Sequence, residues 1–242
     1  MRDVVVLCYH AVSEHWPAPL SVRPQRLQEQ LEFMLARGYV GTTFTEAVSA
    51  PTASKALVVT FDDCFRSMLE LGLPILDRLG IPATVFAVAD FADEGRPLRW
   101  DGVDHWQAGP HSSELASLSW RELGELAAHG WEVGSHTCSH PRLTTLSDGA
   151  LATELQESRE RCAEAIGRAC ASIAYPYGDV DARVVDAAAT AGYHAGAALP
   201  PRLHRERRLE WPRIGVYRKD DVRRFELKVS RAVRLARRLA RR

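Results

Sequence analysis

The sequence has no long apolar run, no C-x-x-C pair and no net charge, and each absence removes a class of protein. A membrane-spanning helix needs about 18 or more consecutive apolar residues. The N-terminal run from Val4 to Cys8 follows Asp3 and holds five apolar residues, too few for a span or for the core of a secretory leader. A cytoplasmic protein is the expectation. Five cysteines, at 8, 64, 138, 162 and 170, are odd in number and unpaired in spacing, so neither a disulfide framework nor a thiolate zinc knuckle is indicated. Thirty-one basic residues cancel thirty-one acidic ones over 242 residues, which argues against a nucleic-acid partner. With 16 glycines, 13 prolines and a 46% hydrophobic fraction, the chain is neither low-complexity nor collagen-like but globular, of one or two domains.

What is present is an alternation. Short β-branched runs at Val4 to Cys8, Ala56 to Phe61, Ala83 to Ala87, Trp131 to Ser135, Ser172 to Tyr175, Tyr193 to Ala198 and Ile214 to Tyr217 read as strands. Helical spacing appears near 24–37, 66–79, 119–129, 148–166 and 182–191, with Pro24 in a first turn, a capping box at Ser119 and Glu122, and Gly38, Gly130 and Gly192 at C-caps. Strands apolar on both faces, alternating with helices, predict a largely parallel sheet. Seven or so β/α units closed into a barrel fit this economically; a doubly wound open sheet fits it too. Residues 90–118 break the rhythm with a polar and aromatic loop containing Trp100 and Trp106, which either lines a site or runs over the surface. Trp16, Trp100 and Trp106 suit stacking on sugars or anchoring of loops.

Three segments carry chemistry. Asp62 and Asp63 follow the strand ending at Phe61, where β/α folds gather catalytic groups, although the pair alone is a weak signal and reads first as a solvated turn or helix cap. His136 and His140, four residues apart after another strand, fit one face of a helical turn and, with one carboxylate, a His₂Asp metal set with open positions; a cap with a hydrogen-bonded imidazole is the plain alternative. Cys138 between them reads as packing. Tyr175-Pro176-Tyr177-Gly178 is by itself a rigid bend. His15, His105, His111, His129, His194 and His204 have no partner at ligand spacing.

Taken in order, T-F-D-D at 60–63, H-T-x-x-H at 136–140 and Y-P-Y-G at 175–178, with Ile81 to Phe86, Leu118-Ser119-Trp120 and Gly130 to Gly134 between them, resemble the polysaccharide deacetylase family, the NodB-homology or carbohydrate esterase family 4 proteins. The likeness covers roughly residues 4 to 217. It implies a distorted (β/α) barrel and metal-dependent removal of acetyl groups from carbohydrate. It further implies Asp63, His136 and His140 as metal ligands, Asp62 as general base toward a metal-activated water, and the backbone N–H of Tyr177 as a donor to the oxyanion. Zinc is the expected ion, with cobalt, nickel or iron also suited to such a set.

Two departures from the family pattern stand out. The usual acid histidine of a C-terminal Leu-x-x-His motif is absent, but Tyr9-His10-Ala11-Val12 resembles the Y-H-x-V phrase of a branch whose acid histidine comes from the N-terminal end. His10 is therefore the expected acid, because first and last strands of a closed barrel are neighbours. Ala174 stands where many members carry an arginine that orients the catalytic aspartate, and Arg213 is the candidate replacement.

The neutral total is itself a cancellation. Residues 219–242 carry ten basic and three acidic side chains, a net of +7, so the rest carries −7. Val222, Phe225, Val229, Val233, Leu235 and Leu239 recur at helical intervals, predicting one basic amphipathic C-terminal helix appended to a barrel of residues 1–218. Its apolar side either completes the barrel's packing or rests, peripherally, on an anionic membrane or a lipid-linked glycan. The resulting expectation is a divalent-metal hydrolase that deacetylates an N-acetylated sugar. Its competitors are hydrolysis of a non-sugar amide or cyclic imide, and a catalytically silent carbohydrate-binding or assembly protein on the same barrel.

Overall fold

The buried runs pair side by side in parallel. A computed structural model describes residues 3–49, 55–93, 96–200 and 206–239. Its strands are β1 (Asp3–Tyr9), β2 (Ala11–Val12), β3 (Ser21–Val22), β4 (Tyr39–Gly41), β5 (Lys55–Phe61), β6 (Ala83–Ala87), β7 (Glu132–Ser135), β8 (Ser172–Ala174), β9 (Ala195–Ala198), β10 (Trp211–Pro212) and β11 (Ile214–Gly215). The main sheet runs β10-β9-β8-β7-β6-β5-β1-β11, with β4 on the early half of β5. Because β10 pairs with β9 and β11 pairs with β1, the single segment 211–215 joins both edges. A nearly closed (β/α) barrel results, and the open-sheet alternative falls away.

Alternation along each strand sorts side chains to two sides. Val5, Leu7, Leu57, Val59, Val85, Val133 and Ile173 join the large core beneath the surrounding helices. Val6, Val58, Phe86, Ala174, Ala195 and Ala197 form a smaller core with Phe44, Ala47 and Val48, which places the short helix Phe44–Ser49 as a plug inside the barrel. The plug is pinned where the Phe44 N–H donates to Thr84 Oγ1 at 2.9 Å and the Thr45 N–H to Glu132 Oε2 at 2.8 Å. Gly134 faces the same interior: a Cβ there would lie 2.7 Å from the Phe86 ring.

The expected helices form at 24–36, 120–128, 148–166 and 182–190, and both halves of the Ser119–Glu122 capping box are made. Two segments differ from expectation. In place of a uniform helix over 66–79 there is a π-helical turn Met68–Gly72 followed by an α-helix Leu73–Leu79. The Leu73 N–H reaches back to the Met68 carbonyl, and Pro74, which has no N–H to donate, follows at once. The basic tail is two helices, Val222–Val229 and Arg231–Leu239. Ser230 between them is extended, and its hydroxyl accepts the Val233 N–H at 3.2 Å, starting the second helix afresh.

The first tail helix completes the packing, since Phe225 and Val229 belong to the large core. The second is tied down by Arg234, whose guanidinium donates to Asp3 Oδ1 at 2.7 Å, to the Tyr39 hydroxyl at 3.3 Å and to the Val229 carbonyl at 3.0 Å. Asp3 and Tyr39 begin β1 and β4, so this anchor sits at the N-terminal ends of the strands. At about 3.3 Å per residue, β1 separates it from the other end of the barrel by about 20 Å. Among the described residues no helix is long and apolar enough to cross a membrane. The five cysteines are buried and unbridged.

Candidate active site

The C-terminal ends of the strands deliver the polar groups. Strict alternation would send Asp62 and Asp63 to opposite sides of the wall. Asp62 continues the ladder, its N–H donating to the Tyr9 carbonyl at 3.0 Å, while Asp63 turns through a left-handed φ of 71°, so both carboxylates reach the interior. Among the described residues, the non-glycine positions with positive φ are Asp63, Cys64, Thr137, His140 and Tyr177. Four of the five belong to the three motif segments and Cys64 directly follows the first; strain of this kind persists where surrounding structure enforces it.

Asp63 Oδ1 lies 3.3 Å from Nε2 of His136 and 3.3 Å from Nε2 of His140. The His136 ring is fixed by Nδ1, 2.8 Å from the Ala174 carbonyl, which assigns the proton to Nδ1 and leaves Nε2 as a lone pair. His140 is held otherwise. Its N–H donates to Thr137 Oγ1 at 3.1 Å, and its imidazole stacks on the Trp100 indole with centroids 4.2 Å apart. The two histidines do converge, but not on the helical turn that their spacing suggests: positive φ at Thr137 and His140 bends residues 136–140 into an irregular loop. Glu154, on the helix Asp148–Ile166, clamps that loop by accepting the N–H groups of Cys138 and Ser139 at 2.8 and 3.1 Å.

Burial raises the carboxyl pKa of Asp63, yet the two imidazoles outweigh it and hold the group well below the usual range. Burial lowers His140, whereas at His136 the carboxylates of Asp63 and Asp62 overcome burial and raise it. Asp63 Oδ1 and His140 Nδ1 are buried without a hydrogen-bond partner, and Oδ1 faces the Nε2 atoms of both imidazoles. Two imidazole nitrogens and one carboxylate oxygen, all within 4.8 Å of one another, fit a divalent ion of the zinc type.

Asp62 lives under different constraints. Arg213 grips it with both arms, Nη1 to Oδ1 at 2.6 Å and Nη2 to Oδ2 at 2.7 Å, and Nη1 also reaches Thr60 Oγ1 at 2.9 Å. The Cys8 thiol, pushed up by burial and so kept protonated, lies 3.4 Å from Oδ2. Burial drives the Asp62 carboxyl up, but the Arg213 charge, aided by His136, the Arg213 hydrogen bond and His10, brings it down to about 2. Arg213 reaches this position from the gap between β10 and β11, and its guanidinium sits 5.5 Å over the ring of Phe86, which shares the inner core with Ala174. Cys8, His10 and Asp62 also stand within metal-ligand reach of one another. That second group is a poor competitor for a cation, because both oxygens of Asp62 already accept hydrogen bonds and its counter-charge is in place.

A cavity of about 190 Å³ is lined by His10, Asp62, Asp63, His136, His140, Tyr177 and Trp100, with Val103, Gly178 and Leu199 among the others. It gathers every expected site residue except Arg213, which stands behind Asp62 and holds both its oxygens. His10 follows β1 and its Nδ1 is buried without a partner. The Tyr177 ring meets His140 edge-on at 4.7 Å, lies under the Arg142 guanidinium, and its hydroxyl donates to the Asp101 carbonyl at 3.3 Å. The 90–118 loop lines the site through Trp100 to Val103, while Trp16 is fully buried and Trp106 packs edge-on against it, so those two anchor the loop. His15, His105, His129 and His194 are exposed and His111 half-buried; His204 lies outside the described residues. Sequence reasoning missed the clamp from Glu154, the thiol of Cys8 and the stacking role of Trp100. A single chain offers no local signal for any of the three, since each contact crosses 15 or more positions.

The family model described as Polysaccharide deacetylase matches residues 49–196, a span that contains Asp62, Asp63, His136, His140 and Tyr177 but neither His10 nor Arg213. The protein YxkH of Bacillus subtilis (strain 168) is 25% identical over 201 residues, which are 81% of this chain and 64% of that protein; the chain thus spans less than two thirds of that relative's length. Among solved structures, Streptococcus pyogenes deacetylase PplD, in complex with acetate, superposes with a TM-score of 0.79 at 21% identity, covering 94% of this chain and 98% of that one. IcaB from Ammonifex degensii gives a TM-score of 0.76 at 23% identity, covering 96% and 97%. At these identities the structural likeness shows the barrel.

Proposed function

This chain belongs to the polysaccharide deacetylase family, and on that premise we propose that it is a metal-dependent carbohydrate N-deacetylase acting on the acetamido group of an N-acetylated sugar. The observation that carries the reading is the unmet Asp63 Oδ1 facing Nε2 of His136 and His140, beside a second carboxylate that is ionised and independently held. Asp63, His136 and His140 hold the ion, zinc by preference or cobalt, nickel or iron. When bound, the ion supplies a Lewis acid that polarises the acetyl carbonyl and makes water nucleophilic at neutral pH.

The chain's own groups do the rest. Asp62 is the base: Arg213 keeps it charged and fixes both oxygens, so its contribution is orientation as much as basicity, given a pKa brought down to about 2. His10, on the cavity wall, gives a proton to the departing amine nitrogen, the role expected of the N-terminal Y-H-x-V branch. The backbone N–H of Tyr177, turned by its φ of 59°, stabilises the developing oxyanion. The two sequence departures that would favour a silent barrel are each matched by a residue in place, His10 at the cavity and Arg213 on Asp62.

The test is mass-spectrometric detection of deacetylated product and free acetate over a panel of acetamido sugars, from monosaccharides to chitooligosaccharides and lipid-linked saccharides. Product that forms with added zinc or cobalt and disappears with chelator supports the reading. A metal-loaded enzyme that releases no acetate from any of them refutes it.

A further inference from the structure

The cavity holding the triad is too small for a glycan. At about 190 Å³ it falls below the roughly 300–1,000 Å³ of sites that enclose small organic ligands, so it admits the acetamido end of a substrate and leaves the remainder outside. A second cavity of about 890 Å³ adjoins it. Consecutive residues line the two: Arg99 and Ser139 face the larger, Trp100 and His140 the smaller. The Trp100–His140 stack is the partition.

The larger cavity carries an excess of positive charge. Arg96 and Arg99 line it with one acid, Asp90, and that acid is already matched by Arg161, whose Nη1 lies 2.6 Å from Asp90 Oδ1 while Nη2 holds Asp93 at 2.7 Å. One arm of Arg96 donates to the Asp90 carbonyl at 2.6 Å, which fixes its direction. Among the described residues Arg99 has no ion pair or hydrogen bond. Phe91 and Leu115 supply an apolar wall, and Ser112 and Ser113 supply hydroxyls.

The geometry points to this cavity as the binding site for an anionic group, a phosphate or a carboxylate, on the same glycan whose acetamido group enters the smaller cavity. The inference rests on the deacetylase reading and adds the substrate class, an acidic glycan. Guanidinium forks match phosphate and carboxylate oxygens in pairs, whereas a neutral chitin-like chain leaves both arginines unmatched.

The test is calorimetric titration of the full chain, treated with chelator, using three hexosamine oligosaccharides of equal length: neutral, ending in a phosphate monoester, and ending in a hexuronate. At low salt at least one acidic ligand binds about tenfold more tightly than the neutral one, the advantage shrinks as salt rises, and its chemistry identifies the source of the anion. Arg96→Ala with Arg99→Ala removes the advantage and leaves neutral binding unchanged; Arg99→Glu, at the unpaired residue, reduces it alone. Equal affinities for the three ligands, or an advantage that survives the double substitution, overturn the inference. Discrimination without deacetylation by the metal-loaded enzyme would leave the acidic-glycan site standing and refute the deacetylase reading; deacetylation without discrimination would do the reverse.

Discussion

Removing Arg213 should cost more at neutral pH than in acid, and by far more than loss of an exposed surface charge does. Asp62 is buried, with its pKa brought from 3.8 to about 2 despite a desolvation cost that pushes the other way. That net change corresponds to about 2 kcal/mol of folding free energy, present above pH 3.8 and lost as pH falls toward 2. In Arg213→Met the carboxylate keeps its burial and loses the partner that holds both its oxygens, so about 3–5 kcal/mol is lost at pH 7. The folded-state pKa of Asp62 then lies above its unfolded value, so the variant takes up a proton on folding, and its stability rises as pH falls from neutral toward 4. The gap between wild type and Arg213→Met therefore narrows on acidification. Urea unfolding in chelator between pH 4 and 7, with Asp62→Asn and the double variant closing a cycle, measures this; a coupling energy of at least about 2 kcal/mol at pH 7 is expected. A coupling near zero, or a gap that widens in acid, would refute the assignment of Arg213 as the group holding Asp62.

Three further outcomes are expected. His10→Gln should lower kcat by about 10²–10⁴ with zinc content unchanged, as measured by steady-state kinetics and elemental analysis; loss of metal with loss of activity would instead make His10 structural. Gly134→Ala places a methyl 2.7 Å from the Phe86 ring inside the barrel and should destabilise by about 1–3 kcal/mol in urea. Arg234→Ala breaks the clamp to Asp3 and Tyr39 at the far end of the strands and should destabilise by about 3 kcal/mol while kcat/KM of the surviving folded enzyme stays unchanged.

The strands were legible in the chain because burial on both faces writes itself as an apolar run, and Val4 to Cys8 or Ala83 to Ala87 need no partner to be recognised. Elements whose stability is wholly tertiary were not. The plug helix Phe44–Ser49 has six residues, too few to show a period, and although Ile214 begins a recognisable strand, the pairing of Trp211–Pro212 with the opposite edge comes only from the closed barrel. The donor types of the site were readable as motifs, but their geometry was not. Four-residue spacing suggests a helical face, whereas left-handed residues at Thr137 and His140 bring the two imidazoles together through a loop. The contact of Arg213 with Asp62 was anticipated from a family departure at Ala174, and its position between two half-strands came only from the fold. In the tail, periodicity gave the helical character and missed the break at Ser230, where a serine cap restarts the helix.

The most direct measurement is anomalous X-ray scattering at the zinc edge from crystals of the zinc-loaded protein. The account predicts one strong site about 2.0–2.2 Å from Asp63 Oδ1 and from Nε2 of His136 and His140, with Asp62 still bonded to Arg213. A site on Cys8, His10 and Asp62, or none at the Asp63 triad, would contradict it.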